Sequence, residues 1–212
     1  MYTPPAFRDE DRASIHGMIE AAGLATLVTM TGEGLVGTPL PLFLVADEGP
    51  LGTLYGHVAR ANPQWRLPPV GEALAIFAGP DAYVSPGWYA AKAEHGRVVP
   101  TWNYAAVHAY GVAEFFEDAG RLRAVVARLT DRHEAGRAQP WSVDDAPEAF
   151  VQGQLRGIVG VRLPVAGLKG KRKFSQNRSA ADRAGVVRGL RASGDPRDAE
   201  AAAAVPTGEP AR

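Results

Sequence analysis

The chain of 212 residues contains no cysteine, and its 23 basic residues balance its 23 acidic residues. The lack of cysteine excludes disulfides and thiolate metal sites and disfavours an extracellular protein. The balanced charge gives no whole-chain support for DNA binding, because phosphate contacts normally require a basic excess. No apolar run reaches the length of a membrane span, and charged residues occupy positions 8–12, where a signal peptide would be apolar. We therefore expect a cytoplasmic protein.

Short strands separated by turns dominate the predicted elements. Helical spacing or start signals predict helices at residues 8–22, after Asn62, and at 119–134, 146–155 and 179–192. Alternating or compact apolar runs predict strands at residues 24–30, 35–45, 51–58, 73–78, 82–85, 103–117 and 157–165. Strands in this number, with helices outside them, favour a small barrel over a parallel sheet.

Prolines in one predicted strand restrict its pairing, and the composition of the last 20 residues marks the end of the folded domain. Pro39 and Pro41 cannot donate to a strand ladder, so they predict a sheet edge, a bulge or an unpaired side. Residues 193–212 are rich in Gly, Pro, Asp and Ala and have almost nothing to bury. We therefore predict a domain over residues 1–192 and a disordered tail over 193–212.

The stretch from Leu51 to Trp65 is the first candidate for chemistry. A strand ends near Ala59, and Asn62-Pro63 is a typical helix start, since Asn caps free backbone N–H groups and proline suits the first helical position. A helix N-terminus next to Arg60 is suited to bind phosphate. An ordinary strand-to-helix connection with a solvated arginine explains the same residues.

Two further segments carry polar groups. Trp102-Asn103-Tyr104 supplies aromatic area and an amide for a heteroaromatic ring, or it is core packing with one buried amide. Residues 169–178 hold five positive charges, which fit a solvated loop, a nucleic-acid patch or a phosphate clamp. The sequence has no Walker loop, no dinucleotide-binding glycine motif and no zinc-protease motif, so redox chemistry would belong to a cofactor.

Four uncommon motifs occur in an order that resembles one known family. They are the segments 1–7, Gly52–Trp65, Pro100–Tyr104 and Ser175–Ser179, and the resemblance extends over about residues 1–192. It is the PaiB-like family of FMN-binding negative transcriptional regulators, which is related to the flavin-binding split β-barrels.

The resemblance implies an α+β fold that is mainly β, an FMN-binding split β-barrel with peripheral helices. It implies FMN as cofactor and a homodimer with flavin sites at the subunit interface, while DNA is a partner by the family name only. The implied flavin-binding residues are His57, Ala59, Arg60, Asn62, Trp102, Asn103, Tyr104, Lys173, Ser175, Gln176, Asn177 and Arg178. His57 would donate a hydrogen bond toward the flavin, although a satisfied strand histidine is the alternative.

Three functions follow from this resemblance. The first is a flavin-bound repressor of transcription, and the second is a flavin-dependent oxidoreductase acting on a small cytoplasmic substrate. The third is a haem-binding relative with His57 or His108 as ligand, because other split barrels bind haem.

Overall fold

A computed structural model describes residues 1–208 of the chain. Within that range it contains ten strands and six α-helices, which confirms the predicted α+β class with a mainly β character. The strands are β1 (Arg8–Asp9), β2 (Ala25–Thr31), β3 (Gly34–Leu40), β4 (Leu42–Val45), β5 (Thr53–Ala59), β6 (Ala73–Val84), β7 (Thr101–Gly111), β8 (Glu114–Phe116), β9 (Ile158–Pro164) and β10 (Gly167–Lys173). The helices are α1 (Arg12–Ala21), α2 (Ala91–His95), α3 (Ala119–Glu134), α4 (Glu148–Leu155), α5 (Ala180–Ala192) and α6 (Pro196–Ala204). None of these helices combines the length and the apolar character that a membrane crossing needs.

The chain forms two compact units that are interleaved in sequence. The first unit contains Met1–Ile15, Ala78–Val107 and the chain from Lys169 onward. The second unit contains His16–Phe77 and His108–Leu168. Strands β6, β7 and β10 each contribute residues to both units.

The second unit is built around a four-stranded sheet with the order β4-β5-β9-β8. Its neighbouring strands are antiparallel, and helices α3 and α4 cover one face. The apolar stripe of α3 packs on Phe43 and Phe116 of this sheet. The same unit holds the hairpin β2–β3, in which Thr31 pairs with Gly34 at the turn.

In the first unit the strand order is β1-β10-β7-β6, and β1 runs antiparallel to β10. Helices α5 and α6 pack on each other. Two glycines of α5 make room for Trp88: a Cβ on Gly185 would lie 1.9 Å from its carbonyl oxygen, and one on Gly189 would lie 2.2 Å from its ring. Larger residues at these positions would force the helix away from Trp88.

The predicted disorder of the tail is wrong for the residues that the structure describes. Asp195 caps helix α6 through its side chain, and Ala201, Ala202 and Val205 are buried. Arg183 of α5, itself buried, donates to the carbonyl oxygens of Pro206 and Gly208. These few small side chains can order the segment because they pack against helix α5, which is already folded. The part of this prediction that concerns residues 209–212 lies outside the described residues.

Other predicted elements also differ from the structure, and the strand predicted at 103–117 divides into β7 and β8 of different sheets. The strand at 35–45 divides at Pro41 into β3 and β4, which belong to different sheets. The expected break at 79–81 is absent, and β6 is continuous. The basic residues 169–173, for which a solvated loop is one interpretation, form most of strand β10. The helix after Asn62 is a single 3₁₀ turn, Pro63–Arg66, because Pro68 disfavours a helical conformation at Leu67.

Candidate functional site

Asn103 is the most buried polar residue among the predicted site residues. Its side chain lies inside the first unit, on β7, with no exposed surface. Its Oδ1 accepts a hydrogen bond from Ser175 Oγ at 3.1 Å. Its Nδ2 is buried and has no hydrogen-bond partner among the described residues. A buried donor without a partner costs about 1–3 kcal/mol, so this amide is suited to receive a ligand acceptor.

Ser175 holds the amide of Asn103 from a strained backbone. It is buried, and its φ of 60° is the one positive value at a non-glycine residue within 1–208. Such conformations persist where the surroundings impose them, and they are frequent at ligand sites. The turn that imposes it is closed by Arg178 N, which donates to Ser175 O at 2.9 Å.

Three cations lie in the same unit without an acidic partner. Lys171 is buried, with its Nζ donating to Tyr2 O at 3.0 Å. Lys173 Nζ donates to Thr101 Oγ1 at 2.5 Å and also to Trp102 O. Burial lowers the pKa of Lys173, and the positive charges of Lys171 and Arg178 lower it further. None of the three forms an ion pair with a carboxylate of residues 1–208, so the cluster favours an anion.

Aromatic rings accompany these cations. Trp102 is 52% exposed and Tyr83 is 47% exposed, and their rings meet edge to face with centroids 6.2 Å apart. Lys171 Nζ lies 5.0 Å from the ring centroid of Tyr104. The Arg178 guanidinium lies 4.8 Å from the ring centroid of Tyr89, whose pKa is raised by burial. The exposed rings of Trp102 and Tyr83, in a unit that also holds these cations, can bind a flat anionic ligand.

The remaining predicted residues of the turn differ in their roles. Gln176 uses both ends of its amide within its own turn: Oε1 accepts from Phe174 N at 2.7 Å, and Nε2 donates to Arg172 O at 2.5 Å. Asn177 is exposed. Gln176 therefore shapes the turn that carries Ser175.

Arg60 and Asn62, which belong to the second unit, are engaged in its structure. Arg60 forms an ion pair with Glu117, and its Nε donates to Arg156 O at 2.6 Å. Asn62 Oδ1 accepts from Gln64 N at 2.9 Å, and its Nδ2 donates to Thr38 Oγ1 at 2.8 Å. The capping role of Asn62 is confirmed. The 3₁₀ turn that it caps has only four residues, so the predicted helix dipole is lacking.

His57 lies on β5 opposite Gly160 of β9, two residues before the exposed Ala59. Alternation along β5 places its side chain on the same face as Tyr55, which packs against the core below α3. Phe116 covers Gly160 so closely that a Cβ there would lie 2.2 Å from its ring. Burial lowers the pKa of His57, and its buried Nδ1 has no hydrogen-bond partner among the described residues.

The structure thus brings together two sets of predicted residues, each within its own unit. Contacts join Lys173 to the main chain of Trp102, and Ser175 to Asn103, in the first unit. The predictions from sequence missed Lys171 and Tyr89 of this unit. A signal was available for Lys171, because alternation in a strand sends some of a run of basic residues inward.

A second group that was missed is the charged network of Glu48, Tyr55 and Arg162 in the second unit. Arg162 Nη2 donates to Glu48 Oε1 at 2.7 Å, and Tyr55 Oη donates to the same carboxylate at 2.9 Å. Burial acts to raise the pKa of Glu48, but these hydrogen bonds outweigh it and lower the pKa. The signal was Arg162 itself, a charge within an apolar strand that requires a partner.

Among residues 1–208, no group of three His, Asp or Glu side chains is placed to hold a metal ion.

Comparison with known proteins identifies one family. A family model described as "Putative FMN-binding domain" matches residues 1–167. The protease synthase and sporulation protein PAI 2 of Bacillus subtilis (strain 168) is 33% identical over 198 residues, which cover 92% of each chain.

Solved structures share the fold at low sequence identity. The FAD and heme binding protein from Mycobacterium smegmatis superposes with a TM-score of 0.57 at 17% identity, covering 78% of this chain and 73% of that chain. The flavocytochrome Anf3 from Azotobacter vinelandii has a TM-score of 0.55 at 16% identity, covering 78% and 69%. These similarities confirm the split-barrel fold. With the family match and the Bacillus relative, they establish that the chain belongs to the PaiB-like family of FMN-binding domains.

Proposed function

We propose that this protein binds FMN, and that Asn103, Lys173, Ser175 and Arg178 of the first unit hold it. The observation that carries the proposal is the Asn103 amide, which is fully buried and has an Nδ2 without a partner among the described residues. A flavin ring offers carbonyl oxygens and ring nitrogens, which are the acceptors this donor needs. The residues present therefore fit the cofactor.

The phosphate of FMN fits the cations of the same unit better than Arg60. Lys173 and Arg178 have no acidic partner within residues 1–208, whereas Arg60 is paired with Glu117 and would have to exchange that partner for phosphate. Trp102 supplies exposed aromatic area next to Asn103. His57, Ala59, Asn62, Tyr104, Gln176 and Asn177 remain predicted site residues, of which Asn62 and Gln176 support their own turns.

FMN, when bound, supplies hydride and single-electron transfer. The groups of the chain bind and orient: Ser175 holds the Asn103 amide, and the cations neutralise phosphate. We propose a regulatory flavoprotein that forms a homodimer, with the oxidoreductase as the rival function. Support for regulation comes from the family resemblance, and support for a dimer comes from the exposed aromatic pair Tyr83 and Trp102.

Binding of FMN and of riboflavin to the purified protein tests the phosphate assignment. Lys173→Gln removes a charge-assisted contact, so it should weaken FMN about 10- to 100-fold and leave riboflavin nearly unchanged, since riboflavin has no phosphate. Lys92→Gln, at an exposed lysine of the same unit, is the control. Equal losses for both ligands would refute the phosphate assignment.

Two measurements separate the candidate functions. The visible spectrum of the purified protein distinguishes flavin from haem. Oxidation of NAD(P)H under air by the FMN-loaded protein distinguishes the oxidoreductase from the regulator. Steady turnover would contradict the regulatory proposal, and its absence together with operator binding that depends on FMN would support it.

A further inference from the structure

We infer that a cavity along one side of helix α3 binds a small amphipathic monoanion, a compact aromatic or aliphatic carboxylate. The cavity lies entirely within the second unit, at the exposed side of the helix that carries Arg121, Ala124 and Arg128, next to aromatic residues of the four-stranded sheet. None of its lining residues is among the predicted flavin-binding residues, so the inference is independent of the proposed FMN site.

The size and the floor of the cavity suit a flat apolar body. Its volume is about 320 Å³, at the lower end of the range for small-molecule sites. Phe43, Tyr55 and Phe116 form the floor. The rings of Phe43 and Tyr55 are stacked, with centroids 5.7 Å apart and planes inclined by 19°. One bicyclic ring or a medium acyl chain would fill this space.

The spacing of residues on α3 keeps the cavity open. Arg121, Ala124, Val125 and Arg128 recur at helical intervals and share the face that lines it. Ala124 lies between the two arginines with only a methyl group. A longer side chain there would occupy the space that the ligand requires.

The charges around the cavity do not balance. Arg121 pairs with Glu114 at 2.8 Å, and Arg162 pairs with Glu48 at 2.7 Å and with Glu114 at 3.3 Å. Arg128 forms no ion pair with any residue of the described chain, and its guanidinium lies 5.0 Å from the ring centroid of Phe43.

Three arginines against two glutamates leave one positive charge, and it resides at the mouth of an aromatic cavity. A ligand with one negative charge would neutralise it. A guanidinium also matches the two oxygens of a carboxylate better than it matches any neutral group. A cationic ligand would be repelled by the charge of Arg128. The two glutamates would not attract it, because both already have arginine partners.

Calorimetric titration of the full chain with three isosteric probes tests the inference. Naphthalene-2-carboxylate, 2-naphthylmethanol and 2-naphthylmethylamine share one ring system and differ in charge. We expect the carboxylate to bind at least tenfold more tightly than the alcohol, and the amine to bind most weakly. Equal affinities for all three probes, or no binding of the carboxylate at about 5 mM, would overturn the inference.

Variants locate the binding. Arg128→Gln should weaken the carboxylate about tenfold and leave the alcohol unchanged, whereas Arg191→Gln, at an exposed arginine of α5, should change neither. Ala124→Trp should abolish binding of both probes, and Ala124→Ser, which stays small, should preserve it. Thermal unfolding of each variant confirms that it is folded. Undiminished binding by a folded Ala124→Trp variant would place the probe elsewhere and refute the site.

FMN serves as a competitor in the same titration. The carboxylate should bind equally well to the FMN-free and the FMN-loaded protein. Displacement by FMN would make this cavity part of the flavin site, and the inference of a separate site would fall. Weakened FMN binding in Lys173→Gln with intact carboxylate binding would separate the two proposals.

Discussion

Two buried nitrogen atoms, Asn103 Nδ2 and His57 Nδ1, have no hydrogen-bond partner among residues 1–208, and they differ in what surrounds them. Asn103 is held by a strained serine, in a unit whose cations lack acidic partners. His57 lies on a strand face that helices and Phe116 cover. The first arrangement is typical of a ligand site, and the second is typical of a partly buried strand histidine whose pKa is lowered by burial.

The lowered pKa of His57 makes stability depend on pH. Burial lowers its pKa in the folded state, while the unfolded imidazole takes up a proton near pH 6.5. Below that pH the unfolded state binds more protons, so the free energy of unfolding falls as pH decreases, until the folded pKa is reached. The slope due to one proton is at most about 1.4 kcal/mol per pH unit.

Urea unfolding of His57→Gln between about pH 5 and 7 should therefore show a weaker pH dependence than the parent chain shows. His95→Gln, at an exposed position, should retain the parent dependence. A His57→Gln variant with an unchanged slope would contradict the assignment of this dependence to His57.

Ser175 separates a backbone effect from a side-chain effect. Ser175→Ala keeps the strained φ and leaves Asn103 Oδ1 without its donor, which should cost about 1–3 kcal/mol. Ser175→Gly loses the same hydroxyl but relieves the strain, so it should be more stable than Ser175→Ala by about 1 kcal/mol in urea unfolding. In both variants the affinity for FMN and the affinity for riboflavin should fall by the same factor, since the amide of Asn103 loses its orientation. Equal stability of the two variants would show that the backbone stores no strain.

At the scale of elements, local signals predicted the bounds of helix α3 better than those of the strands. Helix α3 has the predicted bounds because Asp118 caps it and its apolar residues follow helical spacing. Strand ends depend on partners that are distant in sequence. At the predicted break, Gly79 packs so closely on Ala105 that a Cβ would lie 2.9 Å from that side chain, which explains why β6 continues.

The candidate site shows the same division. The motifs predicted Asn103, Lys173 and Ser175, and the structure connects two of them by a hydrogen bond. The same motifs assigned Arg60 to phosphate, because an arginine near a helix start has that chemistry. They could not reveal Glu117, which is 57 positions away in sequence and takes the guanidinium as its partner.

We expect helix α6 to contribute to stability, because it is ordered and partly buried where the sequence predicts a disordered tail. Ala202 is buried at its contact with α5, whereas Ala203 on the same helix is exposed. Ala202→Glu would bury an unpaired carboxylate or displace the helix, so it should lower Tm by several degrees, at about 2–4 °C per kcal/mol. Ala203→Glu should change Tm by less than about 1 °C. If the two variants have the same Tm, α6 does not pack on α5 in solution.

At the scale of the whole molecule, the exposed aromatic surface of Trp102 and Tyr83 suggests contact with a partner. Trp102, 52% exposed, is adjacent to the buried Asn103 on β7 and meets Tyr83 edge to face. Large exposed rings beside a ligand site are frequent at interfaces, where they supply much of the binding energy. A second copy of the chain is the partner that the family resemblance implies, and it would bury these rings next to the bound flavin.

If the flavin contacts both subunits, FMN must bind the dimer more tightly than it binds the monomer. Linkage then requires FMN to shift the monomer–dimer equilibrium by the same factor. In sedimentation equilibrium we expect saturating FMN to tighten dimerisation at least fivefold, and Trp102→Glu to weaken both dimerisation and FMN binding. Trp141→Glu, at a tryptophan that is 47% exposed in the second unit, is the matched control and should leave both unchanged. If FMN leaves the dimer dissociation constant unchanged, each subunit holds its flavin alone.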